Sequence, residues 1–328
     1  MTLVAVGDDG NLSTSSDGAV WSLHSGLLGS FPAWAVAWSP SLNLFVAGTG
    51  DSLFSSPDGI VWTFRASTSR VNALTWSSSL ALFIMVGTSG SLQTSPDGII
   101  WTARTSGFGT SEIWAVAASA TTIIAVGQSG KVSTSPDGIT WTAQTSGFGT
   151  QTIVTAAWSQ PLGLFVIGGN QGLISTSPDG VTWTSRTSGF STNQTVTAAA
   201  WGLSGLFVIA GTTDLTTDLI ATSTDGITWT PRVSGFESTG NFWAVAGSSS
   251  GFVAGGDNET LATSPDGITW TPRVSGFGTG ARITAIAGVW TAVFPLRQVQ
   301  RDDGLGRSVM RARGGTSVQR SIRQRGYR

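Results

Sequence analysis

Seven aspartates recur in one context, Ser-x-Asp-Gly-x-x-Trp: Asp17, Asp58, Asp97, Asp137, Asp179, Asp225 and Asp266. Carboxylates serve as general acids and bases, so these are the first candidates for a site. Their spacing argues otherwise. Steps of 41, 39, 40, 42, 46 and 41 residues put one aspartate in each copy of a repeat, whereas an acid–base pair must lie within hydrogen-bond reach of one substrate. Each also has a sufficient local task. In Ser-Pro-Asp-Gly, Pro presets φ, Asp accepts hydrogen bonds from nearby amides and Gly takes positive φ, which together specify a tight hairpin. The seven are read as structural.

Acidic side chains that break the repeat are stronger candidates. Asp214 and Asp218 lie in an expanded segment, residues 211–218. Asp257 and Glu259 lie in Gly256-Asp257-Asn258-Glu259, and Asp8 and Asp9 in Gly7-Asp8-Asp9-Gly10. Brought together, their oxygens could hold Ca²⁺, which takes 6–8 oxygen ligands; no other cofactor is implied. Two of them could instead flank a glycosidic bond at about 5–9.5 Å. The plain reading is a set of solvated turn residues.

Three tryptophans form the second departure. Trp34, Trp114 and Trp243 open an Ala-rich run where the other copies hold Asn72, Val154, Thr197 and Thr284. An aromatic face there could stack on a sugar or on a partner's side chain; packing within the fold is the plainer reading. Trp38, Trp76, Trp158 and Trp201, four residues further on, are expected in the core.

Other chemistries find no support. Without cysteine there is no disulfide, zinc–thiolate site or thiol nucleophile. The sole histidine, His24, reads as a solvent-facing loop residue, which leaves a serine triad without its base. Gly-rich stretches such as Ser106-Gly107-Phe108-Gly109 recur with the repeat and lack the Lys and following helix of a phosphate-binding loop.

The elements that must position these residues follow from the repeat itself. Residues 94–110 and 134–150 differ at only two positions, the mark of tandem duplication. Each unit reads as four strands: an Ala-rich run such as 195–201, a bulky run such as 206–209, a short strand into the hairpin, and a last strand after it. The second strands are apolar on both faces, as in Leu164-Phe165-Val166-Ile167, so both faces of each sheet are covered. Radially stacked four-stranded sheets achieve that, and small residues in the first strand suit a crowded axis. The predicted fold is all-β, a seven-bladed β-propeller. The chain opens on a second strand, and residues 282–287 match a first strand with no hairpin after it. Pairing the two ends closes the ring and removes its exposed edges. Blades six, seven and one then become neighbours, and the acidic segments form an arc on one face.

The hairpins resemble Asp-box, or BNR, repeats, found in sialidases, xyloglucanases, photosystem assembly factors and propellers of phage and other microbial structural proteins. The resemblance covers about residues 1–290. It implies a propeller and leaves activity open, because propellers host many functions. A sialidase of this family would need an arginine triad, a tyrosine nucleophile and an acidic partner. Tyr327 is the only tyrosine and lies near the C-terminus. Arg104, Arg186, Arg232 and Arg273 recur shortly after the hairpin Trp, as a structural position would. Sialidase chemistry is therefore not expected.

Charge divides the chain. Residues 1–296 carry 8 Lys and Arg against 16 Asp and Glu, whereas 297–328 carry nine Arg against Asp302 and Asp303. The first stretch is read as the propeller and the second as a basic Arg/Gly-rich tail without a core of its own. Arginines of that kind can grip nucleic acid or another acidic surface. No apolar run approaches the roughly 18 residues of a membrane span, and neither the n-region nor the h-region of a secretory signal opens the chain. The expected function is a non-catalytic binding or assembly module that presents loops from one face to a protein partner, in a virion or appendage. The rival is a glycoside hydrolase or lectin that takes a glycan at the acidic arc and the tryptophans.

Overall fold

The structure, a computed structural model, describes residues 2–202, 204–212, 220–233, 235, 241–248 and 250–288. They form seven four-stranded antiparallel sheets arranged as a β-propeller. Blade 2 shows the pattern: strands Ala33–Ser39, Leu44–Thr49, Ser52–Ser56 and Thr63–Ser67 run from the axis outward in chain order. Blades 3 to 7 begin with first strands Val71–Ser77, Ile113–Ala118, Ile153–Ser159, Thr195–Gly202 and Phe242–Ser248. Among the described residues no helix is long and apolar enough to cross a membrane.

Blade 1 is made from both ends of the chain. Its first strand is Ile283–Gly288 and its second is Leu3–Gly7, paired antiparallel from Leu3 with Gly288 to Gly7 with Ile283. The ring closes as the unmatched terminal strands required, with the outward edge of Ile283–Gly288 paired to Leu3–Gly7.

Burial follows the alternation of each strand. Second strands are solvent-free on both faces: Leu3, Val4, Ala5 and Val6 are all 0% exposed. In blades 2, 3 and 6 the second-strand phenylalanine is wedged between two tryptophans of its own blade. Phe83 lies 4.7 Å from Trp76 of the first strand and 6.4 Å from Trp101 of the hairpin, ring centre to ring centre. Hairpins lock neighbouring blades together. Gly98, at φ +69, would drive a Cβ to 2.9 Å from both Leu44 and Val46 of blade 2. Only glycine satisfies both the positive φ and that close approach.

The first-strand tryptophans correct one expectation. Trp38, Trp76, Trp158 and Trp201 are half-buried and not fully in the core. One edge packs on phenylalanine, as Trp38 does on Phe45 at 4.3 Å. The remainder lines a cavity of about 410 Å³ at one opening of the central channel. Only small side chains leave a channel of this width open, and residues bordering it are solvated on one side.

His24 is also placed differently. It belongs to the outer strand Ser22–His24, with Nε2 3.0 Å from the Thr14 hydroxyl. Arg104, Arg186, Arg232 and Arg273 occupy the same place in other blades, each donating from Nε to a threonine hydroxyl on the third strand at 2.8–3.0 Å. One repeated cross-strand tie accounts for all five.

Candidate functional site

Each hairpin aspartate is consumed by its own turn. Asp225 Oδ1 accepts the N–H groups of Ile227 and Thr228 at 2.8 and 2.9 Å and the Ser223 hydroxyl at 2.9 Å. The same contacts recur at Asp17, Asp58, Asp97, Asp137, Asp179 and Asp266. The Thr228 N–H does most to hold the Asp225 carboxyl below the usual carboxylate range, followed by that of Ile227. At Asp266 burial is the largest influence and pulls upward, yet the Thr269 and Ile268 amides and the Ser264 hydroxyl together outweigh it. The hairpin tryptophan then donates Nε1–H to the glycine carbonyl, as Trp229 does to Gly226 at 3.2 Å. Trp101 departs from this pattern: its buried Nε1 has no partner.

The opposite opening of the channel is where symmetry breaks. In all seven blades the register between first and second strands slips by one residue at the start of the first strand. The unpaired residues are Thr284, Trp34, Asn72, Trp114, Val154, Thr197 and Trp243, and all seven line this mouth. A β-bulge leaves its extra residue outside the ladder and re-aims the side chain. The three candidate tryptophans are therefore bulge residues facing one opening, where they are half-buried.

The bulge residues between them hold them in place. Asn72 donates Nδ2–H to the Ile113 carbonyl at 2.9 Å. Thr197 donates to the Phe242 carbonyl and Thr284 to the Ala33 carbonyl. Each of these carbonyls immediately precedes one of Trp114, Trp243 and Trp34, so one blade fixes the bulge of the next.

Two arginines complete the mouth, both two residues before a small bulge residue. Arg70 sits over both Trp34 and Trp114, at 5.6 and 5.4 Å from their ring centres, and pairs with Glu112 at 3.3 Å. Arg282 lies over Trp243 at 4.7 Å. Cation–π contacts of this kind are worth about 0.5–2 kcal/mol, depending on desolvation. The backbone carbonyl of Arg70 receives the Thr88 N–H at 3.1 Å, and the close approach requires Gly87, where a Cβ would stand 2.0 Å from that oxygen.

Among the acidic candidates, Asp257 stands in the middle of this network. Its Oδ1 accepts from Arg282 Nε at 2.8 Å and Trp243 Nε1 at 2.7 Å, and its Oδ2 accepts from Asn241 Nδ2 at 2.9 Å. Asp8 accepts the Arg282 backbone N–H at 3.0 Å, and Glu259 accepts that of Gly276 at 3.0 Å. Asp9 occupies the turn at positive φ, 56°. Asp214 and Asp218 lie outside the described residues, as does the basic segment 297–328. Among the described residues no three His, Cys, Asp or Glu side chains gather as a metal-binding group. Arg70, Arg282 and the bulges themselves were not singled out from the sequence. The sequence holds a partial signal: Arg70 and Arg282 stand two positions before Asn72 and Thr284, where the other copies of the repeat hold Pro32, Glu112, Thr152, Thr195 and Asn241.

No protein-family model matches the chain, and no curated protein matches it significantly. Solved structures share the fold. YCF48 from Cyanidioschyzon merolae is 15% identical, with a TM-score of 0.58 over 85% of this chain and 90% of that one. A YCF48 bound to D1 peptide is 16% identical, with a TM-score of 0.61 over 83% and 87%. Virginiamycin B lyase from Staphylococcus aureus is 7% identical, with a TM-score of 0.62 over 74% and 84%. At these identities the likeness is one of fold: a β-propeller found in proteins of unlike function.

Proposed function

We propose that this chain is a non-catalytic binding module of the Asp-box type, a component of a larger assembly such as a virion or appendage, with the mouth lined by Trp34, Trp114 and Trp243 as its working face. The observation that carries this reading is the state of the mouth's carboxylates among the described residues. Asp257 is held by Arg282, Trp243 and Asn241, and Glu112 is paired with Arg70. A glycoside hydrolase needs two carboxyl groups open to the scissile bond. Here the acids position arginines and tryptophans, the residue types that dominate binding hot spots. A solved propeller of this fold carries a peptide, which supports a binding role. Repetition of a rigid blade suits a scaffold that displays one asymmetric face.

The test is site-specific photo-cross-linking in the native assembly. A benzoyl-phenylalanine at Gln128, beside the mouth, is expected to give discrete cross-linked products with a partner. The same probe at Ile139, on a hairpin remote from the mouth, is expected to give none. Equal labelling from both positions, or none from Gln128, would overturn the reading.

A further inference from the structure

Among the described residues, one stretch of the mouth carries neither a bulge tryptophan nor an adjoining arginine. Around the ring, tryptophans occupy the bulges of blades 2, 4 and 7. Blades 3 and 1 carry Asn72 and Thr284 there, and the adjoining arginines cover these openings: Arg70 against Trp34 and Trp114, Arg282 against Trp243. Blades 5 and 6 are the exception. Their bulge residues are Val154 and Thr197, and the positions that hold arginine in blades 3 and 1 are Thr152 and Thr195. Two consecutive blades thus lack both devices, and a depression of about 400 Å³ lies there, with Trp114 on one side and Trp243 on the other.

The lining defines the chemistry of what fits. Besides the two indoles it offers the carboxamides of Gln128 and Asn170 and the hydroxyls of Thr152 and Thr195. Among the described residues Glu112 is the charged one at its edge, and Arg70 neutralises it at 3.3 Å. The indoles are already braced: Arg70 is stacked on Trp114, while Trp243 is tethered through Nε1 to Asp257 at 2.7 Å. Neither arginine lines the depression. A ligand must therefore offer an apolar face to tryptophan, hydrogen-bonding groups around its rim and no net charge. A pyranose ring has axial C–H groups on its faces and hydroxyls at its edge. Carboxamides and threonine hydroxyls, each both donor and acceptor, match those hydroxyls without demanding charge. The volume lies within the range of small-ligand clefts, about 300–1,000 Å³.

We infer that the depression between Trp114 and Trp243 is a binding site for a neutral saccharide. This names the ligand class of the face proposed above and rests on that reading of the mouth.

The experiment is a calorimetric titration of the full chain, with tryptophan fluorescence in parallel, against cellotetraose, mannotetraose and chitotetraose. Nona-arginine serves as the charged comparison. At least one tetrasaccharide is expected to bind with a dissociation constant of about 1 mM or tighter. Trp114→Ala and Trp243→Ala should each weaken it at least about tenfold, the effect of losing about 1.4 kcal/mol. Asn170→Ala, a milder change that spares the aromatic walls, should weaken it severalfold, while Val61→Thr on a distant hairpin should leave it unchanged. Binding by none of the three sugars at about 10 mM, or binding that survives both tryptophan variants, would overturn the inference. So would binding of nona-arginine alone at these tryptophans, which would make the site a cation cage. If cross-linking from Gln128 persists while every sugar fails, the saccharide is lost and the binding face stands. Sugar binding without cross-linking would keep the mouth as a saccharide site and overturn its role as an assembly face.

Discussion

Arg282 and Asp257 form an ion pair at 2.8 Å across the seam where blade 7 meets blade 1. The same carboxylate oxygen receives the Trp243 indole N–H, and the Arg282 backbone N–H reaches Asp8. Ring closure and the placement of a mouth tryptophan thus meet at Arg282, through the carboxylates of Asp8 and Asp257. Both partners are partly exposed, at 33% and 22% of their side-chain surface, so the pair is screened and its value lies in geometry more than in strength.

Replacing Asp257 by Ala should therefore disturb the mouth more than the fold. The variant is expected to lose about 1–2 kcal/mol of stability, the scale of partly buried charged hydrogen bonds. Tryptophan fluorescence should redden and become more accessible to acrylamide, because Trp243 loses its anchor. An unchanged quenching curve would show that the Arg282 stack alone orders the ring.

The terminal strands should be far more costly to lose. Leu3, Val4, Ala5 and Val6 are fully buried and pair on both sides, with residues 12–15 and with residues 285–288. Deleting residues 1–7 strips blade 1 of its second strand and uncovers the faces of blades 7 and 2. Differential scanning calorimetry should show the cooperative transition broadened and lowered by well over about 10 °C, or abolished. A truncated chain that melts as the full one does would contradict closure through this pairing.

The hairpin aspartates set the response to acid. Amide and hydroxyl donors lower the carboxyl pKa of all seven in the folded state. The unfolded chain therefore takes up protons more readily, and the stabilisation is complete above the unfolded value of 3.8. It is lost as pH falls through the lower folded values. Melting temperature should be nearly flat from about pH 8 to pH 5 and drop steeply below about pH 4. Asp266→Ala should cost about 1 kcal/mol at neutral pH, or about 2–4 °C, and its deficit should narrow in acid. A deficit independent of pH would place the effect in packing and not in charge.

The sequence by itself determined the parts whose physics is local. A Ser-x-Asp-Gly-x-x-Trp turn satisfies its own amides within three residues, so seven hairpins and a repeat near forty residues were legible without coordinates. The doubly apolar second strands required sheets covered on both faces, and the unmatched ends required closure. The mouth was legible only in outline. Trp34, Trp114 and Trp243 stood out as departures from the repeat, but nothing local marks them as bulge residues, because a bulge is a relation between two strands. Their supports come from across the ring: Asn72 reaches Ile113, 41 residues on, and the Arg282 amide reaches Asp8, 274 residues away. The fate of Asp257 was hidden for the same reason. As a loop carboxylate it was open to readings as a metal ligand or a catalytic acid beside the plainer one of a solvated turn residue. Only the folded ring sets Arg282, Trp243 and Asn241 around it, because hydrogen bonds between blades depend on distance in space and leave no spacing in the chain.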